Sequence, residues 1–227
     1  MHPVICQIGP FTVFSYGLML AAAFLAGSWL AVSRAKKESI DPEMIMNLSL
    51  IAVISGIAGA RVFYVIENAD YFLKKPLETI MFQRGGLSFF GGLITGTLCG
   101  AAYLKKKKAS IYRVLDLMAP FLALGQAIGR IGCLLNGCCF GKASLLIPIQ
   151  IYSSFILVFI FAFLRFLQEK PHKEGKIFFA YLILYSTKRF FIEFWRADNP
   201  PLMFNLSLFQ IISILLFLFS AWKVSRR

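Results

Sequence analysis

Arg130 stands in GQAIGRIGCLLNGCCFGK, residues 125–142, a stretch otherwise apolar enough for the depth of a lipid bilayer. A charged side chain at mid-bilayer costs about 2.5–3.5 kcal/mol on insertion scales, so it is retained where it binds or pairs with something. Gly125, Gly129 and Gly132 remove bulk around it, which gives another helix or a lipid headgroup access to the backbone. The planar guanidinium suits two oxygens of a phosphodiester at once. The competing reading is a buried ion pair with Glu67, Glu193 or Asp116. A second set lies in TKRFFIEFWRADNPP, where Arg189, Glu193 and Arg196 fall at i, i+4 and i+7 on one helical face, next to Lys188. Glu193 could orient the arginines toward an anionic substrate. It could equally form a plain i,i+4 salt bridge while Arg196 snorkels to the interface.

Two further segments carry costly or unusual residues. In QRGGLSFFGGLITG the pairs Gly85–Gly86 and Gly91–Gly92 bracket Leu87–Phe90. Such a segment can leave helical geometry where it lines a cavity, or it can be a turn entering a tightly packed span. Arg61 lies mid-span beside the small residues 56–60 and could pair with Glu67 or with a carboxylate on another helix. The five cysteines, Cys6, Cys99, Cys133, Cys138 and Cys139, include no CxxC pair. The spacing C-x4-C-C without a nearby histidine is a poor match to zinc sites, so no metal is expected. A disulfide is conceivable in an oxidising compartment, and Cys133–Cys138 is its better candidate, because a bridge between adjacent residues is strained. Otherwise these are small, semi-buried thiols.

The elements that must position these residues follow from composition. The chain is 58% hydrophobic and only 15% charged, and its apolar residues come in long blocks. That is the composition of an all-α integral membrane protein, not of a soluble domain. Seven blocks are long enough, or nearly so, to span about 30 Å of hydrocarbon: Phe11–Val32, Met44–Ile66, the short and glycine-rich Leu87–Leu104, Val114–Leu135, Ile149–Leu167, Ile177–Trp195 and Leu206–Trp222. Residues 1–227 read as one polytopic domain, and the N-terminal block lacks the basic region and cleavage site of a signal peptide.

Basic residues set the orientation. Arg34, Lys36 and Lys37, then Lys105–Lys108 with Arg113, then Arg165, Lys170, Lys173 and Lys176, and finally Lys223, Arg226 and Arg227 fall on one side. The other side holds only Lys74, Lys75, Arg84, Lys142 and Arg196. The C-terminus is therefore expected in the cytoplasm and the N-terminus outside. The net charge of +13 is accounted for by topology and anionic lipid, and nucleic-acid binding is not expected. The loops rich in glycine, proline and unusual polar residues all fall on the outer side, so chemistry should face outward.

HPVICQIGPFTVFSYGLML, RGGLSFFGG, GRIGCLLNGCCFG and RFFIEFWRADNP occur in that order across nearly the whole chain. Together they resemble the prolipoprotein diacylglyceryl transferases of bacterial cytoplasmic membranes. The resemblance implies transfer of diacylglyceryl from phosphatidylglycerol to the lipobox cysteine thiol of a prolipoprotein. A thioether forms and glycerol 1-phosphate leaves, with no metal or diffusible cofactor. Arginines would stabilise the departing phosphate, and the acceptor must react as thiolate. By motif position the resemblance assigns Arg130 and Arg189 to the phosphate and lets Glu193 and Arg196 shape the site. Tyr16, Asn136, Gly137, Gly141 and Gly91 are expected around the substrates.

The sequence departs from the family at three places. Many members have a histidine, regarded as assisting thiol deprotonation, where Phe90 stands here. Cys133 replaces an asparagine and Cys138 a common glutamate. The chain's histidines are His2, which is terminal, and His172, on the expected cytoplasmic side. Glu193 or Glu67 could replace the base, or the arginines and a positioned thiol could suffice. Alternative readings are a paralogue that transfers a glycerolipid-derived group to another acceptor, a transporter of anionic lipid, and a thiol-redox protein built on Cys133 and Cys138. The charged motifs sit toward the outer span ends and not in a file through them, which disfavours transport. A redox role leaves Arg130, Arg189 and the glycine pairs unexplained.

Overall fold

The computed structural model describes residues 3–8, 11–80, 86–142, 147–196, 200–203 and 205–226. In chain order these form a hairpin of β1 (Val4–Ile8) and β2 (Phe11–Phe14), then α1 (Ser15–Lys37) and α2 (Pro42–Glu67). A short α3 (Ala69–Lys74) and a 3-10 turn (Pro76–Ile80) lead to α4 (Phe89–Lys106), α5 (Ile111–Asn136), α6 (Ile149–Gln168) and α7 (Lys176–Glu193). A second hairpin, β3 (Pro201–Met203) with β4 (Leu206–Ser207), precedes α8 (Leu208–Ser225).

Each of the seven apolar blocks contains a helix, but three start later than expected. Phe11–Phe14 is strand, so the first span begins at Ser15; α4 begins at Phe89 and not Leu87; α8 begins at Leu208 and not Leu206, with Ser207 as its N-cap. Five helices, α1, α2, α5, α6 and α8, are long and apolar enough to cross a membrane. α4 ends in Lys105 and Lys106 and is rich in glycine, and α7 carries Lys176, Lys188, Arg189 and Glu193, which lowers both below that mark. Among the expected residues, His2, Arg84, Gly85 and Arg227 lie outside the described residues.

The chain divides into two compact units, residues 1–34 with 112–227, and residues 35–111. In the first, α5 presents Ala119, Ala123 and Ala127 to Leu157, Ile160 and Leu164 of α6 and to Ile177 and Tyr181 of α7. Small residues at four-residue spacing let helices approach closely where there is no water to drive them together. Pro120 within α5 cannot donate to the Asp116 carbonyl. Gln168 repairs this, its Nε2 donating to that carbonyl at 2.7 Å and to the Leu117 carbonyl at 3.2 Å. The Asp116 carboxylate accepts the backbone N–H groups of Gly175 and Phe178, capping the start of α7.

In the second unit α2 and α4 pack through glycines. Thr95 Oγ1 donates to the Gly91 carbonyl at 2.7 Å and contacts the Ser55 carbonyl at 3.1 Å. Residues 89–92 are helical, so the Gly91–Gly92 pair serves close packing and does not open the backbone. Arg61 is buried. Its guanidinium donates to the carbonyls of Thr79 (2.9 Å), Gly86 (3.0 Å) and Glu78 (2.6 Å). Glu67 instead accepts the Ser88 hydroxyl at 3.0 Å. A Cβ on Gly91 would collide with Phe63 and lie 2.7 Å from the Gly59 carbonyl. Gly91→Ala should therefore destabilise by about 1–3 kcal/mol, read as a lowered thermal unfolding midpoint in detergent. Gly17→Ala, with nothing within 4 Å of the new Cβ, should not lower it.

Candidate active site

The site is built where α5 ends. Gly137 adopts φ +72°, its N–H reaches the Leu134 carbonyl at 3.3 Å, and the Cys138 N–H reaches the Cys133 carbonyl at 3.1 Å. This is a glycine-capped helix end, a left-handed position that glycine occupies without a Cβ penalty. Asn136 is the last helical residue. The turn folds Cys138 back over Cys133, and Gln150, itself buried, donates its Nε2 to the Cys138 carbonyl at 2.8 Å. Cys139 follows with φ +61°, a left-handed conformation that non-glycine residues rarely adopt. Gly141 then forms a β-bridge with Arg196, and the Lys142 N–H donates to the Trp195 carbonyl at 2.8 Å. The segment after α5 is thus tied to the segment after α7.

All five cysteines are free, so the Cys133–Cys138 bridge is not formed. Instead the sulfurs of Cys133, Cys138 and Cys139 all lie within 4.8 Å of one another. Linear spacing had argued against such a group; the helix cap creates it. The Cys139 thiol is held below its ordinary range, first by the hydrogen bond from Cys133 and then, against the opposing effect of burial, by the guanidiniums of Arg196 and Arg130.

The cations come from α5 and α7. Arg189 is buried, its Nη2 3.2 Å from Glu193 Oε2 and its guanidinium 4.5 Å from the centre of the Phe209 ring. The i,i+4 salt bridge anticipated for Glu193 is therefore present, and it does orient Arg189. Glu193 Oε1 also accepts the Ser207 hydroxyl at 2.9 Å, and Ser207 closes a capping box with Gln210 at the start of α8. Lys188, likewise buried, shares one electrostatic neighbourhood with Arg130, Arg189 and Arg196. Tyr16 shares that of Arg130 and the three cysteines, and Gly132 lets α1 approach, since a Cβ there would sit 3.0 Å from Met19 Cβ and 3.4 Å from Tyr16 Cδ2.

No hydrogen bond or ion pair joins the half-buried Arg130 to any described residue. Its three candidate carboxylates are engaged elsewhere: Asp116 at the α7 cap, Glu193 with Arg189, Glu67 with Ser88. Three guanidiniums, those of Arg130, Arg189 and Arg196, converging beside the Lys188 amine with Glu193 as an acidic partner leave a site that favours an anion with several oxygens.

The fold thus assembles Tyr16, Arg130, Asn136, Gly137, Gly141, Arg189, Glu193 and Arg196 within the first unit, whereas Gly91 packs against Phe63 in the second. Ser207 was not singled out by sequence, and Lys188 and Cys139 were named there without a role in the site. Lys188 was visible as a lysine within a span, and the S-x-x-Q pattern of Ser207–Gln210 as a capping box.

These features define a multi-pass helical membrane protein with a cluster of arginines and a lysine beside three thiols. The chain belongs to the prolipoprotein diacylglyceryl transferase family, whose model matches residues 3–225. A phosphatidylglycerol–prolipoprotein diacylglyceryl transferase of Clostridium tetani is 32% identical over 232 residues, covering 94% of this chain and 93% of the relative. Proteins of the same name from Bacillus licheniformis (33% identical, 100% and 93% covered) and Trichormus variabilis (35%, 93% and 84%) are similarly related.

Proposed function

We propose that the chain transfers the diacylglyceryl group of phosphatidylglycerol to the lipobox cysteine thiol of a prolipoprotein, forming a thioether and releasing glycerol 1-phosphate. The observation that carries this reading is Arg130, a costly half-buried cation with no hydrogen bond or ion pair to any described residue, at the centre of a cation cluster in a chain of this family. Breaking the bond between a glycerol carbon and the phosphate oxygen develops charge on the leaving group. Preorganised donors aimed at that charge lower the barrier. Arg130 and Arg189 serve as the phosphate clamp, with Glu193 fixing the orientation of Arg189. Arg196 adds positive potential, the Lys188 amine adds a hydrogen-bond donor, and Tyr16, Asn136, Gly137 and Gly141 shape the substrate cleft. Gly91 acts through helix packing.

The same reading places seven helices across the bacterial cytoplasmic membrane, with the N-terminus outside, the C-terminus in the cytoplasm and the site toward the outer face. α4 and α7 have 18 residues each, a rise of about 27 Å, near the thickness of the hydrocarbon core. The asymmetry of lysine and arginine supports the orientation.

Cells depleted of their own diacylglyceryl transferase test the function. Expression of this chain should restore growth and raise the mass of a reporter prolipoprotein by one diacylglyceryl group. Correct membrane insertion without that mass change would refute the proposal. Lys188→Met should raise the KM for phosphatidylglycerol about 10–100-fold, the loss of one hydrogen bond to a charged group, with little change in the amount of folded protein. An unchanged KM in mixed micelles would remove Lys188 from the donor site.

A further inference from the structure

Three thiols are gathered beside the cation cluster, and the donor chemistry above does not use them. We propose that Cys133, Cys138 and Cys139 form a zinc site, three thiolates on one Zn²⁺, whose fourth position takes the acceptor thiol. This rests on the transferase reading and supplies what that reading leaves open, the route to an acceptor thiolate.

The geometry is close to what zinc requires. The sulfurs lie within 4.8 Å of one another, and tetrahedral zinc with Zn–S bonds of about 2.3 Å spaces its sulfurs about 3.8 Å apart. The backbone that carries them is fixed in advance. Cys133 is on α5, three residues past Arg130; Cys138 is held by the helix cap and by Gln150. Cys139 keeps its left-handed φ of +61° next to the Gly141–Arg196 bridge, and such a conformation persists where the surroundings over-determine it. No fourth histidine, cysteine or carboxylate joins the group among the described residues. Three protein ligands and an open position are the pattern of a catalytic zinc, not of a structural one. Soft thiolates also select zinc over the hard cations, and Arg130 and Arg196 offset their negative charge.

The chemistry asks for such a site. A thiol is a poor nucleophile, and one that coordinates zinc is deprotonated outright. The described histidine, His172, pairs with Asp116, which is 14 residues before Arg130 on α5, roughly 21 Å along the helix. Glu193 is committed to Arg189 and Ser207. The acceptor R–SH binds zinc through sulfur and releases its proton to water. The thiolate then attacks the glycerol carbon that bears the phosphate ester. The C–S bond forms, the C–O bond breaks, and its electron pair leaves with glycerol 1-phosphate beside the arginines. Zinc is neither oxidised nor reduced.

The test uses full-length protein in detergent with a phosphine reductant and Co²⁺ as the spectroscopic probe. The expected result is one cobalt per chain, with thiolate-to-cobalt charge transfer and tetrahedral visible bands, displaced by Zn²⁺. Those bands should shift on adding a lipobox peptide, and not when serine replaces its cysteine. Cys139→Ser should lose the charge-transfer intensity while unfolding at a similar temperature. Less than a tenth of an equivalent of cobalt bound, or bands indifferent to the peptide thiol, would overturn the site without recourse to any variant. Metal-free protein transferring at the full rate sinks the zinc proposal and leaves the transferase reading standing. A cobalt spectrum that responds to the thiol, with no thioether formed from phosphatidylglycerol, does the reverse.

Discussion

Arg130→Ala should reduce diacylglyceryl transfer by about 10²–10³-fold in kcat, the usual effect of removing one donor that stabilises developing charge. Its fold should survive. Arg130 makes no hydrogen bond or ion pair to a described residue, so removing it leaves no described partner orphaned. Removal also takes away a charge that is costly to hold at that depth. Arg130→Lys keeps the charge but not the two-pronged donor, and should recover only part of the rate. The measurement is single-turnover transfer alongside thermal unfolding in the same detergent. Lost activity with an unchanged midpoint is the signature of a residue kept for its substrate. A midpoint that falls with the activity would make Arg130 a structural residue.

Glu193→Ala should behave in the opposite way and lose both. It leaves Arg189 buried over Phe209 without its carboxylate and removes the acceptor for Ser207 at the start of α8. Breaking a buried pair from one side costs about 3–5 kcal/mol, a large part of an ordinary protein's stability. Glu193→Gln keeps an acceptor for the Ser207 hydroxyl and should unfold at an intermediate temperature. Expression level and thermal midpoint report the difference. Wild-type stability in Glu193→Ala would mean that the Arg189–Glu193 contact of 3.2 Å contributes nothing.

Much of this arrangement was legible in the sequence because a bilayer makes unusual residues conspicuous. Arg130, Arg189 and Glu193 could be picked out as charges inside apolar blocks, and the period of α7 placed the last two on one face. What the sequence could not give was their pairing. Asp116 was an equal candidate for Arg130 until its carboxylate was found on the N–H groups of Gly175 and Phe178. The β1–β2 hairpin was hidden because Phe11–Phe14 runs into α1 without a polar break, although Gly9–Pro10 before it is turn punctuation. The thiol cluster was hidden for a related reason. Read along a line, C-x4-C-C does not show its three sulfurs meeting, but Gly137 ends the helix in a turn that folds Cys138 back to the Cys133 carbonyl. Gly91 carried a substrate role by resemblance, while its surroundings, Phe63 and the Gly59 carbonyl, show a helix contact.

The central claim is that the cation cluster around Arg130 carries the departing phosphate of phosphatidylglycerol. The direct measurement is release of glycerol 1-phosphate by purified protein given phosphatidylglycerol and a lipobox peptide, followed by ³¹P resonance beside the peptide's mass. Wild-type protein should release one glycerol 1-phosphate per thioether formed, and folded Arg130→Ala should release almost none. Equal release by the two proteins would contradict the account.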